Sequence, residues 1–238
     1  MESHDVLLRP AEAADARAIA DLYTAARVAA VPMMPPAAHT ADEDRAWFAA
    51  KLAQDTHEAW VAEADGALLG YALLTPAWLD HLFLRPDVTG QGIGSLLLDL
   101  VKSLRPDGVA LWVFESNRDA RRFYARRGFV ELERTDGSGN EEKTPDVKMA
   151  WPGAEPLAYF RRLIDDVDEQ LGDLLARRVA LTRAVQEHKH DPTRDPERER
   201  AIAEAMARHA PELGADRLGR IVDAIITESL DAAARPRS

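Results

Sequence analysis

An α/β domain followed by an all-helical one is the fold class this chain predicts, on three observations. Strand and helix signals alternate through the first 150 or so residues, the mixed order of a layered α/β fold. The stretch Trp151-Pro152-Gly153-Ala154-Glu155-Pro156 then breaks the alternation. Beyond it no strand signal remains, and an apolar seam with steps of four and three runs down one long helix. These features place two domains at residues 1–152 and 157–238, and 238 residues suffice for two cores.

Taken in order, Val6–Arg9 reads as an opening strand. Asp15 to Ala30 carries helical periodicity, and Thr40-Ala41-Asp42-Glu43 has the capping-box form that starts a second helix. Ala59–Glu63, Ala67–Leu74 and His81–Leu84 are strand-like, the first two divided by the turn pair Asp65-Gly66. A helix follows Gly94, a strand spans Val109–Phe114, and another helix covers Arg118–Arg127. Gly128–Val130 and Val147–Trp151 close the domain as strands. In the second domain a long helix runs to about Lys189, then a Pro-bearing turn, a helix from about Pro196 and a third from about Ala215.

Composition narrows the function. A net charge of −11 argues against a nucleic-acid partner, so an anionic ligand must be met by local cations. Without cysteine there is no disulfide, thiolate nucleophile or Cys-based zinc site, and no metal is expected. Asp80 and His81 interrupt the best apolar run, so no membrane span is expected. Met1–Asp5 is acidic and unlike a signal peptide, which makes a cytoplasmic location the default expectation. Only five of the thirty basic residues are lysine, so each lysine is the less usual choice.

His81–Pro86, Asp87–Ser95 and Leu96–Leu98 read as strand, glycine-rich turn and helix start. Glycines let a backbone approach a ligand, and unpaired N–H groups with the helix dipole favour negative charge. The order suits either a pyrophosphate cradle or a plain tight turn. Thr89-Gly90-Gln91-Gly92-Ile93-Gly94 resembles motif A of the GNAT superfamily of acyl-coenzyme A N-acyltransferases, with Thr89 where that family usually has Arg or Gln. Asn117, Ala120, Phe123-Tyr124 and Gly128-Phe129 are spaced like the same superfamily's Asn-x-x-Ala-x-x-Phe-Tyr and Gly-Phe motif. The resemblance covers roughly residues 5–151.

It implies the mixed-sheet acyl-CoA N-acyltransferase fold and acetyl-CoA as acyl donor, held by Thr89, Gly90, Gln91, Gly92, Ile93, Gly94, Ser95 and Asn117. It also implies direct attack by an amine, backbone N–H groups near Phe83 and Leu84 polarising the thioester carbonyl, and Tyr124 protonating the departing thiolate. From the residues alone, Tyr124 also reads as a core tyrosine beside Phe123, and Asn117 as a helix cap. Glu115, Asp80 and His81 are candidates to take the amine's proton, each with a structural alternative. No acceptor-specific motif is visible; His39-Thr40 reads as a cap or as an approach to the acceptor.

The seam of the long helix reads Phe160, Ile164, Val167, Leu171, Leu174, Arg178, Leu181, Val185 and arrives at Lys189. Unpaired cations are costly to bury, so Arg178 and Lys189 either snorkel to water or hold an anion between them. Eleven residues set them ~16 Å apart on one face. Arg161 is ~25 Å from Arg178 and off that face, so it reaches such a site only in another copy.

Arg161, Ile164-Asp165, Asp168, Arg178, Lys189, Asp195, Arg198-Glu199 and Ser229 together resemble the all-helical, type II chorismate mutases over roughly residues 157–234. That resemblance implies three-helix protomers in an intertwined homodimer, with chorismate rearranged to prephenate in the shikimate pathway. Arg178 and Arg198, with Arg161 of the partner subunit, would bind carboxylates; Lys189 would reach a carboxylate and the ether oxygen. Glu199 with Asp195 would take the ring hydroxyl, and Ser229 a carboxylate. Asp195 is also a good helix cap. Ala233 stands where the family usually has Gln or Glu donating to the ether oxygen. The expectation is a bifunctional enzyme, N-acetyltransferase and chorismate mutase. The alternatives are a mutase-like module kept for dimerisation or metabolite sensing, or one acting on an analogue such as 4-amino-4-deoxychorismate.

Overall fold

Two units divide the chain in the computed structural model, Met1–Phe160 and Arg161–Ser238, with residues 5–54, 56–188 and 194–235 described. In the first, β1 (Leu7–Pro10), β2 (Glu58–Ala64), β3 (Ala67–Leu74) and β4 (Leu79–Leu84) form an antiparallel sheet in sequence order. Asp65 and Gly66 both take positive φ, 51° and 74°, the pairing that a two-residue hairpin between twisted strands requires. The helices α1 (Ala16–Ala29) and α2 (Ala41–Leu52) cover one face through Ile19, Leu22 and Phe48, which pack on Val61, Tyr71 and Leu73. Thr40 and Glu43 close the expected capping box at the start of α2.

On the opposite face, α3 (Ile93–Leu104) packs Leu97, Leu98 and Val101 against Ala72, Leu74, Val109 and Leu111. Because β3 is covered on both faces, it is apolar nearly throughout instead of alternating. A second sheet has the order β5 (Val109–Phe114), β7 (Asp146–Trp151), β6 (Val130–Thr135), all antiparallel, with α4 (Arg118–Arg126) between β5 and β6. Several boundaries differ from expectation: β4 begins at Leu79 and not His81, and two others lie at glycines. Gly128, at φ 83°, ends the turn after α4, so the strand begins only at Val130; α3 begins at Ile93, one residue before Gly94.

The two sheets meet where β4 and β5 start. Trp78 and Ala110 form a parallel bridge, and the Ala110 N–H donates to Ala77 at 3.0 Å. Among the described residues this is the only strand-like pairing between β4 and β5, and past it the two part.

In the second unit, α6 (Pro196–His209) and α7 (Gly214–Ala234) pack through Ala203, Val222 and Ile226, flanked by Ile202, Met206 and Leu230. The long helix α5 (Pro156–His188) keeps its apolar seam open: Ile164, Val167, Leu171, Leu174, Leu181 and Val185 are 47–62% exposed. No helix among the described residues is long and apolar enough to cross a membrane.

Candidate functional site

Where β4 and β5 part, a cleft of about 720 Å³ opens between them. The Arg85 N–H donates to the Leu69 carbonyl at 2.8 Å, and the register pairs Phe83 with Tyr71 and Leu84 with Gly70. Antiparallel alternation therefore turns the Phe83 N–H into β3 and leaves those of Leu82 and Leu84 on the open edge. Of the two residues expected near the reacting carbonyl, Phe83 lines the cleft with its N–H turned into β3, and Leu84, whose N–H is on the open edge, is not among the lining residues; Leu82 both lines the cleft and offers its N–H. Side chains alternate as well. Leu111 and Val113 belong to the core under α3, whereas Phe114 meets Arg27 of α1, whose guanidinium lies 5.8 Å from its ring. The cleft thus passes through the sheet from Asn117, Ala120 and Tyr124 on one side to Tyr23, Arg27 and His81 on the other.

Tyr124 is buried between Phe123 and Phe129, with both ring centroids at 5.3 Å, and lines the cleft. Burial pushes its pKa up, so it keeps its proton. Asn117 serves both readings offered for it: Oδ1 accepts from the Ala120 N–H at 3.1 Å as the cap of α4, and the residue lines the cleft. Three candidates for the amine's proton separate clearly. Glu115 pairs with Arg134 at 2.8 Å and is not among the lining residues. His81 is stacked by Tyr23 and Trp47, each at 5.3 Å, and its Nδ1 lies 2.9 Å from the Tyr71 hydroxyl. That enclosure, aided by repulsion from Arg27 and His57, lowers its pKa to about 3 and leaves a neutral ring. Asp80 lines the cleft while keeping solvent exposure, and partial desolvation there raises its pKa.

The connection between β6 and β7 is fastened over the α1 side of this cleft. Buried Arg27 pairs with Glu142 at 3.0 Å and donates to the carbonyls of Pro35 and Pro36, each at 3.2 Å. His39, expected to cap or to approach the acceptor, instead meets Glu141 at 2.9 Å, and that carboxylate raises its pKa.

The glycine-rich turn has the features an anion cradle needs. Gly90 and Gly92 sit at φ 83° and 91°, and a Cβ at either would meet nothing within 4 Å. Their conformation, not crowding, demands glycine, and the outer side of the turn stays open. Gly92 is the N-cap of α3, whose first amides lack intrahelical acceptors, and Ser95 N–H turns back to Gly92 at 2.9 Å. Gln91 Nε2 donates to the Asp87 carbonyl at 3.1 Å, so its side chain braces the turn. At Gly94 a Cβ would lie 3.3 Å from Leu84 Cδ1, a close helix–strand approach. Thr89 brings no cation, but Arg127 reaches in from the end of α4. It donates to Ser95 Oγ, pairs with Asp99 at 3.1 Å and lies 5.8 Å over the Phe123 ring. An open turn of free amides flanked by a guanidinium fits a diphosphate.

A second cavity, of about 310 Å³, lies in the helical unit. Arg178, Arg194, Asp195, Arg198 and Glu199 line it beside an apolar wall that includes Leu181, Ile202 and Leu230. Arg178 Nη1 donates to the Ile225 carbonyl at 3.3 Å. Asp195 caps α6, accepting from Glu197 and Arg198 N–H groups at 3.1 and 3.0 Å. Arg194 grips both Glu199 oxygens at 2.7 Å and reaches Asp223 at 2.6 Å, holding the Glu199 pKa down. Ser229 departs from the expected set. It is buried, it is not among the lining residues, and its hydroxyl donates to the Ile225 carbonyl at 2.5 Å. Arg161 is exposed on α5 away from this cavity, and Lys189 lies outside the described residues.

Residues 18–129 match the sequence model of the Acetyltransferase (GNAT) family, and residues 160–233 match that of Chorismate mutase type II. An uncharacterized N-acetyltransferase of Archaeoglobus fulgidus is 33% identical over 110 residues, covering 40% of this chain and 74% of that protein. The chain belongs to the GNAT acetyltransferase family. Peptidyl-lysine N-acetyltransferase YjaB of Salmonella typhimurium is 36% identical over 94 residues, or 39% of this chain; the match spans 64% of that relative's length. The solution structure of apo-form YjaB from Escherichia coli shares the fold with a TM-score of 0.52 at 24% identity, over 63% of this chain and 99% of that one. This GNAT-family chain therefore carries, after its acetyltransferase region, a segment that matches the chorismate mutase type II model.

Three residues at the two sites of this GNAT chain escape sequence reasoning. Leu82 is a plain strand leucine whose value lies in the direction of its amide. Arg127 is one of five arginines on and just after α4, marked only by its place before Gly128. Arg194 precedes the Asp195 cap and has no spacing signal of its own.

Proposed function

We propose that the first domain transfers an acetyl group from acetyl-CoA to a primary amine and that the second, as a homodimer, converts chorismate to prephenate. One observation carries the first half: β4 and β5 separate beside a glycine turn of free amides, and the cleft between them holds a protonated tyrosine. Gly90, Gly92, Ile93 and Gly94 would hold the diphosphate through backbone amides, with Ser95 and Gln91 bracing the turn and Asn117 at the cleft wall. Thr89 adds no charge there, and Arg127 supplies it. Acetyl-CoA, when bound, supplies a thioester carbonyl as the electrophile. The Leu82 N–H would meet that oxygen as it gains charge on addition of the amine, a preorganised donor. Tyr124, still protonated, gives its proton to sulfur as the C–S bond breaks. The likeness to peptidyl-lysine N-acetyltransferases supports an alkylamine such as a lysine side chain as acceptor.

In the second domain no proton need move. Arg178 and Arg198 would grip carboxylates in a cavity with an apolar wall, joined by Lys189 and by Arg161 of the partner subunit. Glu199, clamped by Arg194, would accept the ring hydroxyl near Asp195. Ser229 would need to break its bond to Ile225 to contribute. The exposed seam of α5 supports the dimer, because a second copy covers it. Ala233, continuing the Ile226–Leu230 face of α7, offers only a methyl group and favours a second reading. The domain then binds a chorismate-like ligand, or an analogue such as 4-amino-4-deoxychorismate, with little turnover. The test for both halves is a panel of amines incubated with acetyl-CoA, and prephenate formation by the same preparation. Thiol release with an amine and prephenate from chorismate support the reading; chorismate raising the melting temperature without turnover supports the second.

A further inference from the structure

The register of β4 contains one irregularity, and it falls inside the cleft. His81 is opposite Leu73 and Leu79 is opposite Leu74, so Asp80 has no partner on β3 and forms a β-bulge. A bulge leaves its extra residue unpaired and re-aims the side chain, and such features recur beside active sites. Here the re-aimed residue is a carboxylate, and it lines the cleft. Two residues further on lies Leu82, whose amide faces the same opening. That spacing along a strand is ~7 Å, room for an ammonium group or one water between the carboxylate and a carbonyl held at the amide.

We propose that Asp80, delivered into the cleft by this bulge, is the group that takes the proton from the acceptor amine. The assignment rests on the acetyl-transfer reading above. An alkylammonium has no lone pair with which to attack. One N–H proton passes to the Asp80 carboxylate, directly or through a water, and leaves a neutral amine with the lone pair on nitrogen. That pair forms the C–N bond while the carbonyl π electrons move onto oxygen at the Leu82 amide. As the C=O bond re-forms the C–S bond breaks, and sulfur takes the Tyr124 proton; the second proton lost from nitrogen restores Tyr124. Asp80 returns its proton to solvent.

The other two candidates are less available. The His81 ring is neutral but too encumbered by stacking to hold a proton, and Glu115 is spent on Arg134. Among the described residues Asp80 makes no ion pair within 4.0 Å. The charges that bear on it are His57 before β2 and Lys51 on α2, both too weak to offset its partial desolvation, with Arg27, Glu142 and Asp146 lining the cleft's α1 side. Its raised pKa brings the carboxylate nearer to that of an amine, which eases the transfer.

The test compares wild type, Asp80→Asn and Asp80→Glu as full chains, with a lysine-containing peptide as acceptor probe and CoA binding measured by calorimetry. Asp80→Asn is expected to lower kcat/KM for the peptide by about 100-fold near neutral pH. The deficit should shrink as pH rises and free amine becomes abundant, while CoA affinity stays within twofold. Asp80→Glu should recover part of the rate. A deficit uniform across pH, or one under threefold, would overturn the assignment. Wild type failing to bind CoA would bring down the donor site itself, and the assignment with it.

Discussion

Tyr124 and Ala233 each turn on a single functional group. Removing only the Tyr124 hydroxyl, by Tyr124→Phe, leaves the ring contacts with Phe123 and Phe129 in place. The expected outcome is a fall in kcat of about 100-fold with little change in KM for acetyl-CoA or in melting temperature, read by steady-state kinetics and calorimetry. A parallel loss of CoA affinity would mean the hydroxyl serves binding. Because its pKa lies above the usual range, wild-type activity should show no alkaline decline from this group near pH 9. At Ala233 the missing donor is worth on the order of 2.7–4 kcal/mol in comparable oxyanion sites. Ala233→Gln should therefore raise prephenate formation if chorismate is the true substrate, and an unchanged rate would point to another ligand.

At the scale of elements, the glycine turn and the bulged strand do the positioning. Gly92→Ala places a Cβ at φ 91°, a backbone region that costs an L-residue roughly 1–2 kcal/mol. Nothing crowds the added methyl, so the loss should show as a melting temperature lower by a few degrees and a weaker CoA titration, not as unfolding. The same elements mark how far the sequence could be read. Period-two alternation, the Thr40 capping box and the Asp65-Gly66 turn gave most strands and helices, because those signals are local. Of the two motifs, Asn117, Ala120 and Tyr124 line the cleft, and the Gly90–Gly94 turn is not among its lining residues. What stayed hidden depends on pairing between distant segments. The Phe83 amide faces inward because of its register with Tyr71, Asp80 is aimed by a bulge against Leu74, and β4 leaves β5 only after Trp78. None of those is encoded in a run of neighbours. Ser229 shows a related limit: the resemblance offers it as a ligand, and its buried hydroxyl donates to the nearest carbonyl, that of Ile225.

For the molecule as a whole, the two domains differ in how complete each is in a single chain. The first has cores on both faces of its sheet; the second exposes a stripe along α5 with Val167 at 61%. Val167→Asp puts a charge into that stripe without touching either cavity's lining. It should yield a monomer by light scattering and abolish prephenate formation, while thiol release in the acetyl-transfer assay stays unchanged. Loss of both activities would indicate that folding of one domain depends on the other.

An uncovered stripe on α5 also sets a rule for abundance. If the helical cavity is finished only when a second protomer docks, its output should rise with the square of protein concentration at low occupancy, whereas acetyl transfer should rise linearly. Serial dilution of one preparation would then silence the rearrangement first, and a cell making little of this protein would hold, in effect, an acetyltransferase alone.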